Sequence, residues 1–296
     1  MTTATPTLEQ LRVLAAVADA GSFSGAAARL GRSQPVVSYM VTTLESQLGF
    51  ALFERGKRRP ILTERGAVVL THARRLCLIS DELAASVENL RSGVEIELAV
   101  AIDPLFPAAR LARVVREFTQ VHPAVVLTLR TEPLGGVLDL VLQNQCVFGV
   151  SVMVIEWPDL IEPREFGVLD IVAVAAPTHP FASQRKPPTI SAMREHVQLA
   201  LRDPGSLTQQ ADFSITGLHT WRVTDLGLKL EMLRTGVGWG HMPMHLVAED
   251  LARGSLVKLA LPTRSGVRQS FTLLHRIDSP PGPAGRWLMQ RLIDWD

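Results

Sequence analysis

The chain is poor in cysteine, in net charge and in long apolar runs. Only two cysteines, Cys77 and Cys146, occur in 296 residues, and neither belongs to a Cys-x-x-Cys pair. That excludes a disulfide-stapled secreted scaffold and fits buried thiols in a reducing compartment. The nearest approach to a membrane span, Val147 to Ile155, is far too short, and no basic stretch followed by an apolar run opens the chain. The expectation is a cytoplasmic protein with no membrane partner. Net charge is +1; residues 1 to 91 hold 11 Lys+Arg against 8 Asp+Glu, the remainder 19 against 21. A basic excess this modest does not support strong sequence-independent binding to a polyanion. Catalytic signatures are missing too: there is no nucleophile elbow, no phosphate-cradling glycine loop and no metal-spaced His/Cys/Asp cluster. His241-x3-His245 lacks the glutamate of the usual zinc motif. No catalytic residue, metal or cofactor is expected, and an α/β enzyme is the less favoured reading.

At 296 residues the chain can bury cores in two or three units. Its most informative stretch runs from Ser22 to Gly66. A helix from Ser24 to Leu30 carries Ala26, Ala27 and Ala28 and ends at a Gly31-Arg32 turn; small residues let two helices approach closely, and glycine supplies the turn. A second helix opens on Ser33-Gln34-Pro35. Ser33 is a suitable N-cap whose hydroxyl can accept from first-turn amides, and Pro35 sits where a missing N–H costs nothing. Val37, Val41, Leu44 and Leu48 recur at helical spacing as a buried stripe, which leaves Gln34, Ser38, Tyr39 and Thr42 on the other side. Such short, nearly uncharged polar groups can hydrogen-bond base edges in a major groove, and the Thr42 methyl or Tyr39 ring can touch a thymine methyl.

Phe50-Ala51-Leu52-Phe53 and Ile61-Leu62-Thr63 then flank Glu54-Arg55-Gly56-Lys57-Arg58-Arg59-Pro60, the pattern of a winged hairpin whose basic tip points at phosphates. An alanine-rich helix alone is usually a core helix, and a basic loop alone is usually just solvated. In this order they read as a winged helix-turn-helix that binds double-stranded DNA. The candidate contacts are Ser24, Ser33, Gln34, Pro35, Ser38, Tyr39, Thr42, Arg55, Lys57, Arg58 and Arg59.

Leu8-Glu9-Gln10-Leu11, Gly21-Ser22-Phe23-Ser24, Ala26-Ala27, Leu30, Ser33-Gln34-Pro35, Val37-Ser38, Leu44-Glu45, Leu48-Gly49, Leu52-Phe53-Glu54-Arg55 and Leu62-Thr63-Glu64-Arg65-Gly66 together resemble the LysR-type transcriptional regulators. The commonest form of that family has arginine after the serine of the recognition helix, where this chain has Tyr39. That departure bears on base preference and not on DNA binding. The resemblance implies a regulator that binds promoter DNA as a dimer or dimer of dimers and answers to a small-molecule effector, with RNA polymerase as an implied further partner. The closely spaced redox pair of peroxide-sensing members is absent, so a redox-responsive regulator using Cys77, Cys146 or a methionine is the alternative.

From Glu64 to Arg91 there is no proline, and Val69, Ala73, Leu76, Ser80, Leu83, Val87 and Leu90 alternate steps of four and three, the seam of a two-stranded coiled coil. After Ser92-Gly93, strand and helix patterns alternate: strands at Val94 to Ala101, Val125 to Thr131 and Val147 to Val152, helices at Ala108 to Gln120 and Leu138 to Asn144. A second unit spans Val168 to Leu261, with helices at Asp225 to Thr235 and Pro243 to Arg253, and the end of the chain returns to the first. The predicted organisation is therefore α/β with an N-terminal all-α winged helix-turn-helix: that domain over 1–63, a linker and dimerisation helix over 64–92, and a two-lobed effector-binding domain over 93–296. Lobe I takes 93–164 and 267–296, lobe II takes 165–266, and crossing segments lie near Glu162-Arg164 and Arg264-Arg268. His122-Pro123, Pro177-Thr178-His179-Pro180-Phe181, Gly236 to Pro243 and Leu251 to Val257 make this half similar to the family's effector domain, a relative of the solute-binding fold.

In such a fold, ligands sit at strand C-termini and helix N-termini. The first strand ends at Ile102-Asp103-Pro104, where many relatives carry Ser or Thr and bind a carboxylate. Asp103 would repel one, pointing to an effector that is neutral, cationic or rich in hydroxyl donors; alternatively it caps the helix that follows. Thr131 after the second strand, Arg202 at the head of lobe II, Thr224 before a helix and His241 in the glycine-rich turn complete the candidate effector set.

Overall fold

The computed structural model describes residues 5–54, 59–152, 157–184, 186–208, 219–262 and 266–294. The chain divides into two units, Met1–Glu88 and Asn89–Asp296. In the first, α1 (Leu8–Ala20) starts at a capping box in which Thr7 and Gln10 satisfy each other's backbone N–H. α2 (Phe23–Leu30) is capped by the Ser22 hydroxyl, which accepts from the Gly25 amide, and it ends at Gly31 with φ 62°, a left-handed turn that glycine adopts freely. α3 (Gln34–Leu48) follows. Leu11, Leu14 and Val17 of α1 meet Ala26, Ala27, Val37, Val41 and Leu44 in one core; alanines on α2 keep the helix axes close enough for α1 and α3 to share it.

Ser33 takes the N-cap position of α3, but its side chain makes no capping hydrogen bond. The start rests instead on the Val37 amide donating to the Ser33 carbonyl and on the φ that Pro35 pre-sets. Beyond α3, Phe53 and Leu62 form an antiparallel bridge, with the Glu54 amide donating to Ile61 O at 2.8 Å and the Thr63 amide to Leu52 O at 2.9 Å. These are the two arms of the expected wing; Arg55, Lys57 and Arg58 at its tip lie outside the described residues.

α4 (Glu64–Ser92) is continuous, but the expected seam needs correction. Val69, Leu70, Ala73 and Cys77 pack into the core of α1 to α3, and Arg12–Asp81 and Arg74–Asp19 ion pairs tie α4 to α1. The large apolar side chains left exposed among the described residues of α4 are Val68, Leu76, Leu78, Ile79, Leu83 and Val87. Of these, Leu76, Ile79, Leu83 and Val87 follow each other at steps of three and four and share one face. The Leu90 side chain lies outside the described residues.

Among the described residues, the second unit is built on one nine-stranded mixed sheet. β1 (Glu97–Ile102) runs parallel to β2 (Val126–Thr131) and β3 (Phe148–Ser151), with α5 (Ala108–Val121) and α6 (Gly135–Leu142) as crossovers. Toward the other end, β5 (Gln198–Leu201) is parallel to β6 (Thr220–Val223) and to β7 (Trp239–Pro243), with α7 (Ile190–Glu195), α8 (Leu226–Arg234) and α9 (Met244–Arg253) around them. The two ends are joined by β4 (Ile161–Ala175) and β9 (Gly266–Arg276), long antiparallel strands whose register shifts between Phe166 and Leu169. Gly167 sits in that irregularity with φ 53°. β8 (Val257–Lys258) pairs with β4, and α10 (Pro283–Ile293) returns to pack beside α5. The expected crossing at Glu162 to Arg164 falls within β4, and that at Arg268 within β9; Arg264 lies outside the described residues. Leu98, Val100, Phe118, Phe148, Phe271 and Leu288 are among the buried side chains of the core, which runs along both ends of the sheet.

Candidate functional site

On α3 the buried stripe of Val37, Val41 and Leu44 leaves the opposite face in solvent. Tyr39 is 72% exposed, and Gln34, Pro35 and Thr42 are also exposed, with Ser38 half-buried. The Thr42 hydroxyl donates to Ser38 O at 2.9 Å, so Thr42 offers its methyl outward rather than a free hydroxyl. Ser24 and Ser33 are exposed at the starts of α2 and α3, where helix N-termini present amides suited to phosphate. Arg32 is held by Glu9 of α1. The wing base is fixed to α3 because the Glu45 carboxylate accepts from the Leu52 and Phe53 amides at 2.7 and 3.2 Å. It is fixed to α4 by close backbone approach: a Cβ on Gly66 would stand 2.1 Å from the Leu52 carbonyl oxygen. Arg59 is exposed at the edge of the wing tip. α3 and the base of the wing are therefore tied to each other and to α4, and α3 presents a polar, uncharged face.

In the second unit, strand ends meet at the start of α6. Asp103, just past β1, is 0% exposed, and its two carboxylate oxygens accept from the Leu105 and Leu134 amides at 2.8 Å each. It is not the cap of α5, whose N-cap position is Pro107; the bond to Leu105, two residues on, makes a local Asx turn instead. Leu134 is held at φ 49°, a left-handed conformation costly for a branched side chain. Asp103 grips its amide, and the Ser151 hydroxyl at the end of β3 donates to its carbonyl at 3.3 Å. Burial pushes the Asp103 carboxyl up to about 7, against the lowering effect of its two amide bonds, and the neighbouring Asp203 adds to the rise. Asp203, two residues past β5, accepts from the Gly135 amide at 3.1 Å.

Of the other expected effector residues, Thr131 is exposed at the end of β2, and Arg202 and Thr224 are exposed just past the ends of β5 and β6. The Arg202 amide donates to Val223 O at 2.8 Å, which sets these two loop starts side by side. His241 departs from expectation: it lies within β7, opposite Ala173 of β4, not in a turn. Its carbonyl accepts from the buried Lys229 ammonium at 2.8 Å, and burial lowers that lysine to about 8. The glycines around it serve packing of strands, since a Cβ on Gly238 or Gly240 would meet the Val197 or Leu199 carbonyl oxygen at 2.4 or 2.6 Å. Leu134, Ser151, Asp203 and Ser206 were not anticipated. The Asp203-Pro204-Gly205 turn signature was the one local cue to this loop, and a backbone conformation such as that of Leu134 leaves no mark in sequence.

Among the described residues no group of His, Cys, Asp and Glu could hold a metal, and no helix is long and apolar enough to cross a membrane. Burial raises the thiols of both Cys77 and Cys146.

Comparison with known proteins agrees with this arrangement. Residues 8–67 match the family described as bacterial regulatory helix-turn-helix protein, lysR family, and residues 91–296 match the LysR substrate binding domain. The RuBisCO operon transcriptional regulator of Allochromatium vinosum is 31% identical over 281 residues, 91% of this chain and 90% of that protein. The transcriptional activator AllS of Klebsiella pneumoniae is 28% identical over 84% of this chain and 93% of its own. Full-length LysG of Corynebacterium glutamicum with bound effector Arg superposes with a TM-score of 0.51 at 23% identity, covering 97% of both chains. A mutant OxyR from the same organism, bound to H2O2, gives a TM-score of 0.53 at 23% identity, covering 98% of this chain and 94% of that one; at this identity both show the shared fold. The two domain matches account for nearly the whole chain, in the order in which the helix-turn-helix and the mixed sheet occur. The chain thus belongs to the LysR family, as a DNA-binding transcriptional regulator with an effector-binding domain and not an enzyme.

Proposed function

We propose that this regulator reads promoter DNA with the exposed face of α3 and is switched by a small molecule held at the strand ends of its C-terminal unit. The carrying observation is the division of α3: Val37, Val41 and Leu44 are buried while Tyr39 and Gln34 stand in solvent. Gln34, Ser38, Tyr39 and the Thr42 methyl contact base edges. Ser24, Ser33 and Pro35 at the helix starts, and Arg55, Lys57, Arg58 and Arg59 in the wing, lie along phosphates and set the register. Two copies associate through α4, and the exposed row Leu76, Ile79, Leu83 and Val87 is the contact. In this reading the head takes 1–63, the linker 64–92 and the effector domain 93–296, with lobe I (93–164 and 267–296) and lobe II (165–266) hinged near the register shift of β4 and β9. Selection of duplexes from a random pool by the full chain tests this reading: an inverted repeat with half-sites about one helical turn apart supports it, and a pool without enrichment refutes it.

For the effector, Thr131, Arg202 and Thr224 supply exposed polar groups at strand ends, and Asp103 fixes the floor beneath them without touching the ligand. With Asp103 and Asp203 both at the start of α6, the floor disfavours a ligand carboxylate there. A neutral or cationic small molecule fits best. It acts by favouring one arrangement of the protein over another. His241, packed between strands with its carbonyl engaged, leaves the proposed contact set. The redox alternative is weakened by the raised thiols, because the thiolate is the reactive species.

A further inference from the structure

The segment Arg202 to Thr208 leaves β5 of one lobe and lies against the start of α6 in the other. Three sets of contacts hold it there. The Asp203 carboxylate accepts from the Gly135 amide at 3.1 Å and, with the same oxygen, from the Gly205 amide at 2.8 Å. The Ser206 amide and hydroxyl both donate to Asp139 of α6, at 2.7 and 2.8 Å. The backbones touch as well: a Cβ on Gly205 would stand 2.5 Å from Gly135 Cα, and one on Gly136 would stand 2.9 Å from the Pro204 ring. Glycine on both sides is what allows the approach. The second Asp203 oxygen is buried with no hydrogen-bond partner among the described residues.

We propose that this segment is an internal clasp: Asp203 and Ser206 bind the start of α6 and hold the crevice between the lobes closed when no small molecule is present. A helix N-terminus is a natural seat for a carboxylate, and here the chain supplies its own. Polar contacts of this kind, exposed at Ser206 and half-satisfied at Asp203, give a closure that opens locally without unfolding either lobe. Opening the clasp uncovers Gly135, which is buried, beside the loop starts at Thr131, Arg202 and Thr224, which are already exposed. The inference rests on the reading that a small molecule enters this crevice, but the clasp is tested without one.

Hydrogen–deuterium exchange of the full chain reads it directly at Gly135, whose amide has Asp203 as its acceptor. Asp203→Ala should speed exchange at Gly135 by about tenfold or more. Asp203→Asn, which keeps an amide oxygen as acceptor, should restore most of the protection. Gly205→Val tests the same contact sterically, leaving all charges in place, and should also speed it. Unchanged tryptophan emission shows that each variant is folded. Gly135 exchange equal to wild type in both Asp203→Ala and Gly205→Val would overturn the clasp and leave the small-molecule reading standing. Faster exchange in both, with rescue by asparagine, supports it.

Discussion

Asp103→Asn is the perturbation whose size follows most directly from the structure. The carboxyl is fully buried and raised from the ordinary 3.8 to about 7, so the folded protein holds this proton more tightly than the unfolded chain does. Stability from that proton is present in full below 3.8 and is lost as pH rises through 7. Each step of one in pH between the two values costs about 1.4 kcal/mol, so from pH 5 to pH 8 the loss is about 2–3 kcal/mol. A second buried group works against it. Desolvation, with the nearby His196, lowers His179 to about 4 from 6.5; its contribution is present above 6.5 and is lost as pH falls, about 2 kcal/mol by pH 5. Burial lowers His245 in the same direction, so the histidines offset part of the Asp103 loss, and only the difference between wild type and variant isolates Asp103. All five tryptophans, Trp157, Trp221, Trp239, Trp287 and Trp295, follow residue 150, so urea unfolding of the full chain followed by tryptophan emission reports the C-terminal unit alone. Asparagine loses the charge and one acceptor, which shifts stability by a constant amount at all pH values. Relative to wild type, the variant should gain about 2–3 kcal/mol on going from pH 5 to pH 8. A stability difference that is the same at both pH values would refute the reasoning.

Four further outcomes follow from the described residues. Leu83→Asp, on the exposed face of α4 where Leu83 is 65% accessible, should weaken self-association by about 2 kcal/mol or more in sedimentation while leaving the fold intact. Ala73→Asp, at a position 1% exposed in the core of the head, should instead unfold the head, and the reverse pattern would restore the four-three seam that begins at Val69. Arg59→Ala should weaken binding to all duplexes alike and flatten the dependence of log affinity on log salt by about 0.9, read by titration at several salt concentrations. Mass spectrometry after mild oxidant should find Cys77 and Cys146 largely unmodified, and rapid oxidation of either one would favour the redox alternative.

Much of this architecture is legible in the sequence wherever periodicity and caps agree. The stripe of α3, the Gly31 turn and the apolar arms of the wing are local signals, and each appears as an element. α4 shows the limit of such reading: one long helix carries two apolar faces, and spacing alone does not say which one covers the neighbouring core. Val69 and Ala73 cover the head, so the exposed face begins at Leu76 and passes through Ile79. His241 was misplaced because a run of glycines reads as a turn, whereas Gly238 and Gly240 are there to let β7 approach the carbonyls of Val197 and Leu199. Asp103 was recognisable as unusual from its place after β1. Its partner Leu134 lies 31 residues away, and the contacts of Asp203 and Ser206 with α6 span 67 or 68 residues. Pairings of that separation come from topology and leave no periodic trace.

The central claim is that α3 reads base edges through Gln34, Ser38 and Tyr39. The most direct test is parallel sequence selection by wild type and Tyr39→Ala, with total affinity for the wild-type site measured alongside. Tyr39 is 72% exposed and packs no core, so its loss should leave the fold and the phosphate contacts intact. The preferred bases at the half-site position it faces should change or relax, with a cost of about 1–3 kcal/mol on the original site. An identical motif bound with identical affinity would contradict the account.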